Sequence, residues 1–278
     1  MPGSAPLRGE VFAANRAVGR VSFNVAATPG GSKRTRVHEA GSLRVRFPNG
    51  LSQDTLDAVI VNTAGGMTGG DDFSIDIEVG AKAQLMVTTA SAEKIYRSLG
   101  PDTQIGVKLN VGAGGALTWL PQETILFDQV RLRRTIDINL ASDAHLLLAE
   151  AIVFGRSAMG ETVLQGSFSD RWRVRAGDRL IFAETTRLDD EIARRLAHRA
   201  VANSSVATAS ILKFPGSETD VAAVRNLRSN FAGEVGISAW NGLTVARFVA
   251  PDGATMRRDL TTALSALRSG PLPRLWVN

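Results

Sequence analysis

The amino-acid sequence predicts a mainly β fold, made of stacked antiparallel hairpins in an irregular β-solenoid or a sandwich, with a few helices that lie mostly near the C terminus. Apolar and polar residues alternate over many short segments, which is the pattern of strands that bury one face. The strands also come in pairs, an alternating strand followed by a more apolar one. These pairs begin near residues 73, 105, 134 and 167, and a regular spacing of this kind is typical of stacked repeats.

The composition is that of a folded globular protein, and it limits the chemistry open to the chain. Of the 278 residues, 44% are hydrophobic and 21% are charged, so a substantial core can form. Cysteine is absent from the sequence, which excludes disulfides and thiolate metal sites. The three histidines, His38, His145 and His198, are scattered, and this argues against a tight imidazole metal site.

The charge pattern gives little support to nucleic acid or membrane binding. The net charge is +5 and most of the basic residues are arginine, which suits ion pairs and protein interfaces. No dense basic block favours nucleic acid. No stretch is apolar enough for a membrane-spanning helix, and the first residues lack the apolar core of a signal peptide. We therefore expect a soluble, cytoplasmic protein that binds neither nucleic acid nor a membrane.

The individual strands follow from the alternation and from glycine, proline and aspartate at the turns. Up to residue 188 the predicted strands cover residues 18–25, 42–47, 58–61, 73–79, 84–89, 105–111, 116–120, 135–140, 145–150, 167–175 and 179–185.

The pattern changes near residue 189, where helices are expected to begin. Ile192 and Leu196 are four residues apart, as on one face of a short helix. A strand is expected over residues 206–214, and Ser217 is then placed to cap a second helix. Further along, a strand pair is expected to turn at residues 241–242, because Asn-Gly is a strong two-residue turn signal.

A final helix is predicted over residues 255–268, followed by an extended tail over residues 271–276. The chain therefore divides into a β-rich body, residues 11–188, and a smaller α/β segment, residues 189–278. We expect the segment to pack on the same core as the body.

The loop between two apolar strands near residue 66 has an unusual composition. It carries two glycine pairs and then two carboxylates: Gly65, Gly66, Gly69, Gly70, Asp71 and Asp72. The loop lacks the lysine of a phosphate-binding P-loop, and a strand rather than a helix follows it, so a nucleotide site is excluded. It is either a structural turn with a bulge, or a contact or passage surface whose carboxylates face a cavity or a partner.

A second segment carries the only tyrosine of the chain between two cations. Lys94, Tyr96 and Arg97 are either a solvated strand end or an interface anchor, because tyrosine and arginine are favoured where proteins bind each other.

Two further segments place charges in apolar or glycine-rich surroundings. Glu123 and Asp128 follow Gln122 in an apolar stretch, and a buried carboxylate is costly unless it is paired. They form structural ion pairs, a catalytic acid–base pair or a relay for a cation. Their nearest basic residues in the sequence are Arg131, Arg133 and Arg134. Arg156 and Glu161 then flank a loop in which they can form a salt bridge.

Taken together, these segments resemble the urease accessory protein D family, called H in some organisms. The resemblance is carried by residues 63–71, by 88–89 with 94–98, by 119–127, and by 154–156 with 160–161, in this order and with this spacing. Each segment alone is a weak signal, but the set is specific. The likeness extends from about residue 15 to Trp276, and it is weakest over residues 189–214.

The resemblance implies a maturation factor rather than an enzyme. Members of the family form a complex with accessory proteins F and G, dock on the urease apoprotein and deliver nickel to its active site. The family fold is mostly β, with strands wound in an irregular helical arrangement, and an internal tunnel is thought to carry the metal. We therefore expect nickel in transit and no tightly bound cofactor.

A conduit for nickel needs ligands that release the metal, such as carboxylates, carbonyls and water. Four carboxylates are candidates for this path: Asp71, Asp72, Glu123 and Asp128. The family motifs supply candidates for partner interfaces: Gly65, Gly66, Gly69, Gly70, Lys94, Tyr96, Arg97, Gln122, Arg156 and Glu161. Two other functions stay open from the residues alone, an acid–base enzyme that uses Glu123 and Asp128, and a β-solenoid module that binds acidic ligands.

Overall fold

The computed structural model describes residues 15–50, 52–156 and 159–277, and in these ranges seventeen strands form two sheets. The strands are β1 (Val18–Thr28), β2 (Gly31–Gly41), β3 (Leu43–Arg46), β4 (Thr55–Asn62), β5 (Asp72–Val79), β6 (Gln84–Thr89), β7 (Glu93–Ile95), β8 (Thr103–Val111), β9 (Ala116–Trp119), β10 (Thr124–Leu126), β11 (Val130–Leu140), β12 (His145–Phe154), β13 (Gly166–Ala176), β14 (Arg179–Asp190), β15 (Ala207–Phe214), β16 (Glu234–Trp240) and β17 (Leu243–Ala250). The helices are α1 (Ile192–Ala197), α2 (Glu218–Arg225), α3 (Gly253–Leu267) and α4 (Arg274–Val277).

From β5 to β13 the chain passes back and forth between the two sheets, so it winds as a solenoid. Strands β5, β8 and β11 lie side by side and parallel in the first sheet, while β6, β9 and β12 do the same in the second. The first sheet ends at β2 and β14, which run antiparallel to their neighbours. The second sheet continues from β12 through the antiparallel strands β15, β17 and β16.

The four strand pairs expected from the sequence are present, but only β13 and β14 pair with each other as an antiparallel hairpin. In the pairs that begin near residues 73, 105 and 134, the two strands belong to different sheets. Their turns bond to the next turn in the stack: the Lys82 amide donates to the Ala113 carbonyl, and the His145 amide donates to the Gly115 carbonyl, both at 2.8 Å. Alternation indicates which face of a strand is buried, and it does not specify the neighbouring strand.

The predicted fold class is confirmed, because the described residues are mainly β with solenoid-like stacking and mixed parallel and antiparallel pairing, and their α-helices lie between Ile192 and Val277. The Asn241–Gly242 turn joins β16 to β17 as expected. Ser217 caps α2, since its hydroxyl accepts the Asp220 amide while the Asp220 carboxylate accepts the Ser217 amide. The prediction of an extended tail over residues 271–276 is wrong from Arg274 onward, because Arg274–Val277 is a short helix.

Two hydrophobic cores lie on the two faces of the second sheet. Strand β12 lies between them, and nine of its ten residues are buried. Leu146 and Leu148 face the first core, between the sheets, whereas Leu147 and Ala149 face the second. The second core is completed by helices, including Leu260 of α3.

The division of the chain at residue 189 stays a prediction. None of the helices in the described ranges has the length and apolar character needed to cross a membrane.

Candidate functional site

The four segments singled out in the sequence lie together at one corner of the solenoid. Each belongs to a connection that leads from the second sheet back to the first, so the solenoid stacks them. A short parallel ladder joins them through four buried side chains: Met67, Ile95, Leu126 and Phe154. We call this region the corner stack, and define it as residues 62–71, 93–98, 122–128, 154–156 and 159–161. Residues 157–158 of the fourth segment lie outside the described part of the chain.

Two glycines of the loop allow neighbouring turns to approach closely. Gly66 has a φ of 146°, and a Cβ there would lie 2.4 Å from the Tyr96 ring. A Cβ on Gly69 would lie 2.4 Å from the Pro101 carbonyl oxygen. Gly65 accepts a hydrogen bond from the Tyr96 hydroxyl at 3.2 Å. These glycines therefore serve the packing of the stack.

The aromatic and charged residues of the corner stack form a chain of contacts across its surface. Tyr96, 38% exposed, meets Phe127 edge-on at 4.8 Å between ring centroids. The Arg156 guanidinium lies over the Phe127 ring at 4.2 Å, and Arg156 pairs with Glu161 at 2.6 Å. Lys94 and Arg97 are exposed, and their carbonyls accept bonds from the Met67 amide and the Thr68 hydroxyl. The Gly70 amide donates to the Asp102 carbonyl.

The two aspartates of the glycine-rich loop have different surroundings. Asp71 is buried, and its carboxylate accepts the amides of Ala17 and Thr68, each at 2.8 Å. It thereby ties the loop to the start of β1. Asp72 is half-exposed and pairs with Arg20 at 2.5 Å.

The two carboxylates of the third segment have different kinds of partner. Asp128 accepts the amides of Leu164 and Gln165 at 2.7 and 3.1 Å. Glu123 pairs with Arg257 at 3.3 Å. The Arg257 guanidinium also donates to the Gln122 side chain at 2.5 Å, so this segment anchors α3.

The arginines of β11, which lie near Glu123 and Asp128 in the sequence, do not pair with either carboxylate. Arg131 and Arg133 pair with Asp102 instead. Strand alternation separates them from Arg134, which points between the two sheets. Its partners there come from strands β12 and β13.

Two cavities lie between the sheets, and Arg134 and Glu150 line both of them. The first has a volume of about 180 Å³ and reaches the surface beside the corner stack, where Gly65, Ala92 and Glu93 line its mouth. The second has a volume of about 230 Å³ and extends toward Glu184, Val201 and Arg247. The two cavities are therefore neighbours in the interior of the solenoid, with Trp119 on the wall of the first, Asp170 and Trp172 on the wall of the second, and Arg134 and Glu150 on the walls of both.

The middle of this passage is occupied by three buried charges that we call the charged divider: Arg134, Glu150 and Asp170. Arg134 is 4% exposed. Its guanidinium donates two bonds to Asp170, at 2.9 and 2.6 Å, and one to Glu150 at 2.6 Å. The other Glu150 oxygen accepts the Trp119 indole N–H at 2.8 Å.

The electrostatics of the charged divider are set by burial and by mutual pairing. Burial raises the pKa of Glu150, and the charge of Arg134 acts against that rise. Burial alone would lower the pKa of Arg134, but Asp170 and Glu150 raise it above its ordinary value. Every charged oxygen and nitrogen named here has a partner, which is what a buried ion cluster requires.

Glu93 is a second unusual carboxylate, at the mouth of the first cavity. Its oxygens accept the Asn62 amide group at 2.9 and 3.1 Å. Burial raises the pKa of Glu93 to about 7, against these hydrogen bonds and the charge of Lys94. The mouth therefore carries a carboxyl group that titrates near neutral pH.

Comparison with known proteins decides the family. The sequence model of the UreD urease accessory protein matches residues 17–277. This chain belongs to the UreD family. A urease accessory protein UreD of Rhodopseudomonas palustris is 55% identical over 269 residues, which cover 97% of this chain and 96% of the relative. One of Bradyrhizobium diazoefficiens is 51% identical over 268 residues, with 96% of each chain covered. The resemblance drawn from the four segments is confirmed.

The carboxylates chosen from the sequence for a nickel path line neither of the two cavities. Asp71, Asp72, Glu123 and Asp128 are absent from both sets of walls, and their place on a path stays a prediction. Within the described ranges, no three histidine, aspartate or glutamate side chains gather into a metal site.

Sequence reasoning missed the charged divider, although the sequence of this UreD family member carries a signal for it. In β11 the inward positions read Val130, Leu132, Arg134 and Ile136, so Arg134 interrupts an apolar face. Asp170 interrupts the inward face of β13 in the same way. A charge in the buried phase of an alternating strand needs a buried partner.

Proposed function

We propose that this chain is a urease maturation factor that passes nickel to the urease apoprotein through the space between its two sheets. It does so within a complex with accessory proteins F and G. Membership of the UreD family supports the maturation role. The observation that supports the passage is that the two cavities meet at the charged divider.

The donors along the passage suit a metal in transit. Carboxylates line it from end to end: Glu93 at the mouth, Glu150 and Asp170 in the middle, and Glu184 at the far end. Nickel binds imidazole and thiolate more tightly than isolated carboxylates, and the chain has no cysteine. Weak oxygen donors hold the cation long enough to shield its charge and still release it to urease.

The corner stack surrounds the mouth of the first cavity, and we propose it as a docking face for a partner protein. Tyr96 is partly exposed there, and Leu99 and Met159 nearby are 87% and 72% exposed. The side chains of Lys94 and Arg97 add positive charge around this apolar surface. An aromatic anchor with arginine beside it is the composition of an interface hot spot.

The role requires no bond-making by this chain. Glu123 is engaged by Arg257, and Asp128 holds two backbone amides. Both carboxylates thus stabilise the structure of the described residues. In this role the fold positions partner proteins and shields a cation, and it carries out no acid–base reaction.

The proposal is tested in cells that express urease with its other accessory proteins, with and without this chain. Without it we expect urease subunits at normal abundance, with nickel and activity lost together, and recovery of both when the chain is restored. Urease that is fully nickel-loaded without the chain would contradict the maturation role. Co-purification with accessory protein F and with urease tests the complex in the same cells.

A further inference from the structure

The guanidinium of Arg134 lies where the two cavities meet. It contacts Glu150 on one strand and Asp170 on another. A cation that moved from the first cavity to the second would have to pass this positive charge. An arginine on the route of a cation needs an explanation, because like charges in a buried setting repel strongly.

We propose that Arg134 is the gate of the passage: its guanidinium closes the junction between the cavities, and an arriving divalent cation opens it by taking its place on Glu150 and Asp170. This inference rests on the proposed function. The guanidinium is a bound cation on a flexible stem, and it occupies two carboxylates that would otherwise hold a metal. It therefore offsets one of the two negative charges of the junction between transits.

The exchange is chemically balanced. The carboxylate oxygens give up hydrogen bonds from the Arg134 N–H groups and gain coordination to the metal, and no proton moves. The Trp119 indole keeps its bond to Glu150 throughout, which fixes that carboxylate in place. When the guanidinium returns, it competes for the same oxygens, so the metal is released and is not trapped at two buried anions.

A structural role for the same three residues is the competing explanation, because buried ion clusters also specify folds. The two accounts differ in what happens to nickel when the guanidinium is removed. A gate predicts retention of metal at the two freed carboxylates. A structural cluster predicts only loss of folded protein.

The test compares the full chain and its variants for nickel that stays bound through gel filtration. Arg134→Gln should retain about one nickel ion per chain, because two carboxylates without a cationic partner are oxygen ligands for a divalent metal. The triple variant Arg134→Gln, Glu150→Gln, Asp170→Asn should retain no more than the wild type. A folded Arg134→Gln chain with wild-type nickel content would overturn the gate.

Arg134→Gln leaves two buried anions unpaired and can fail to fold, so a second variant provides an independent test. Arg134→Gln with Asp170→Asn removes one positive and one negative charge together, and it leaves the net charge of the divider unchanged. Without a guanidinium to displace, it should load urease at limiting nickel at least as fast as the wild type. Slower loading by this variant in folded form would overturn the gate.

A block at the mouth separates failure of the gate from failure of the passage. Ala92 lines the first cavity near its opening, and Ala92→Trp fills the entrance. Ala113, exposed in the turn between β8 and β9, receives the same substitution as a control. If Ala92→Trp alone stops nickel loading while the Arg134 variants behave as the wild type, the passage stands and the gate is wrong. Normal loading by Ala92→Trp would refute the passage itself.

Discussion

The corner stack and the charged divider border the same cavity, yet they are built in different ways. The corner stack is held by backbone groups: glycines allow close approach, and Asp71 and Asp128 each accept two amides. The charged divider is held by side chains from three strands, with partners 16 and 36 residues apart in sequence. One region surrounds the outer end of the cavity, and the other lines its interior.

The difference explains why the recognisable motifs and the buried charges do not coincide. A tight corner needs particular residues in consecutive positions, so it leaves a motif. A buried ion cluster needs one residue on each of several strands, so it leaves only single interruptions of an apolar pattern. The segments that identify the family therefore describe its shape better than its chemistry.

The largest effect expected outside the divider concerns the pH dependence of Glu93. Its pKa is about 7 in the folded chain, against an ordinary value of 4.5, so the folded state binds the proton more tightly than the unfolded state. The stability that this proton contributes is complete below pH 4.5 and is lost as the pH rises through 7. We expect a fall of about 2 kcal/mol in the free energy of unfolding, since Glu93 keeps partial contact with solvent.

Glu93→Gln is the matched control for this measurement. It keeps a side chain that can bond to Asn62 and cannot titrate. Denaturant unfolding at several pH values should show a smaller decline for Glu93→Gln than for the wild type over this window. If the free energy of unfolding declined equally with pH in the two chains, Glu93 would have an ordinary pKa, and the raised pKa at the mouth of the first cavity would be contradicted.

An effect of similar size is expected for the packing of the corner stack. The new methyl group of Gly69→Ala would overlap the Pro101 carbonyl, which is backbone and cannot rotate away. The loop must move, at a cost of about 1–3 kcal/mol in the free energy of unfolding. At Gly100 a Cβ meets nothing within 4 Å, so Gly100→Ala should change stability by less than about 0.5 kcal/mol. Equal stabilities for the two variants would mean that the stack is not tightly packed.

Substitution of Tyr96 should have the smallest effect on the stability of the chain. Its main effect should be weaker binding of a partner. Tyr96→Ala removes the ring that contacts Phe127, and should weaken retention of a partner about tenfold. Tyr96→Phe keeps that contact and loses only the hydrogen bond to Gly65. It should bind as the wild type does to within about threefold, since one such bond contributes about 1 kcal/mol or less. Unchanged binding by Tyr96→Ala would remove the corner stack as a docking face.

Much of the fold was predictable from the sequence, because local signals determine strands, caps and turns. Ser217 and the Asn241–Gly242 turn are examples. A solenoid was expected, but the pairing of its strands was not predictable, since it depends on contacts such as the bond from Lys82 to Ala113, which joins turns that are far apart in sequence. The candidate site was likewise predictable in one part and not in the other. The corner stack left motifs, whereas the partners of Arg134 depend on which strands face each other across the core.

The most direct test of the account is the nickel content of urease made in cells that carry Ala92→Trp, compared with cells that carry Ala113→Trp. The first substitution fills the mouth beside the corner stack, and the second adds the same side chain at a distant turn. An added barrier of about 1.4 kcal/mol slows a step tenfold. At equal levels of folded chain, we therefore expect nickel loading to be at least about tenfold slower with Ala92→Trp. Loading with Ala113→Trp should equal that of the wild type. Equal loading by the two variants would contradict a passage between the sheets.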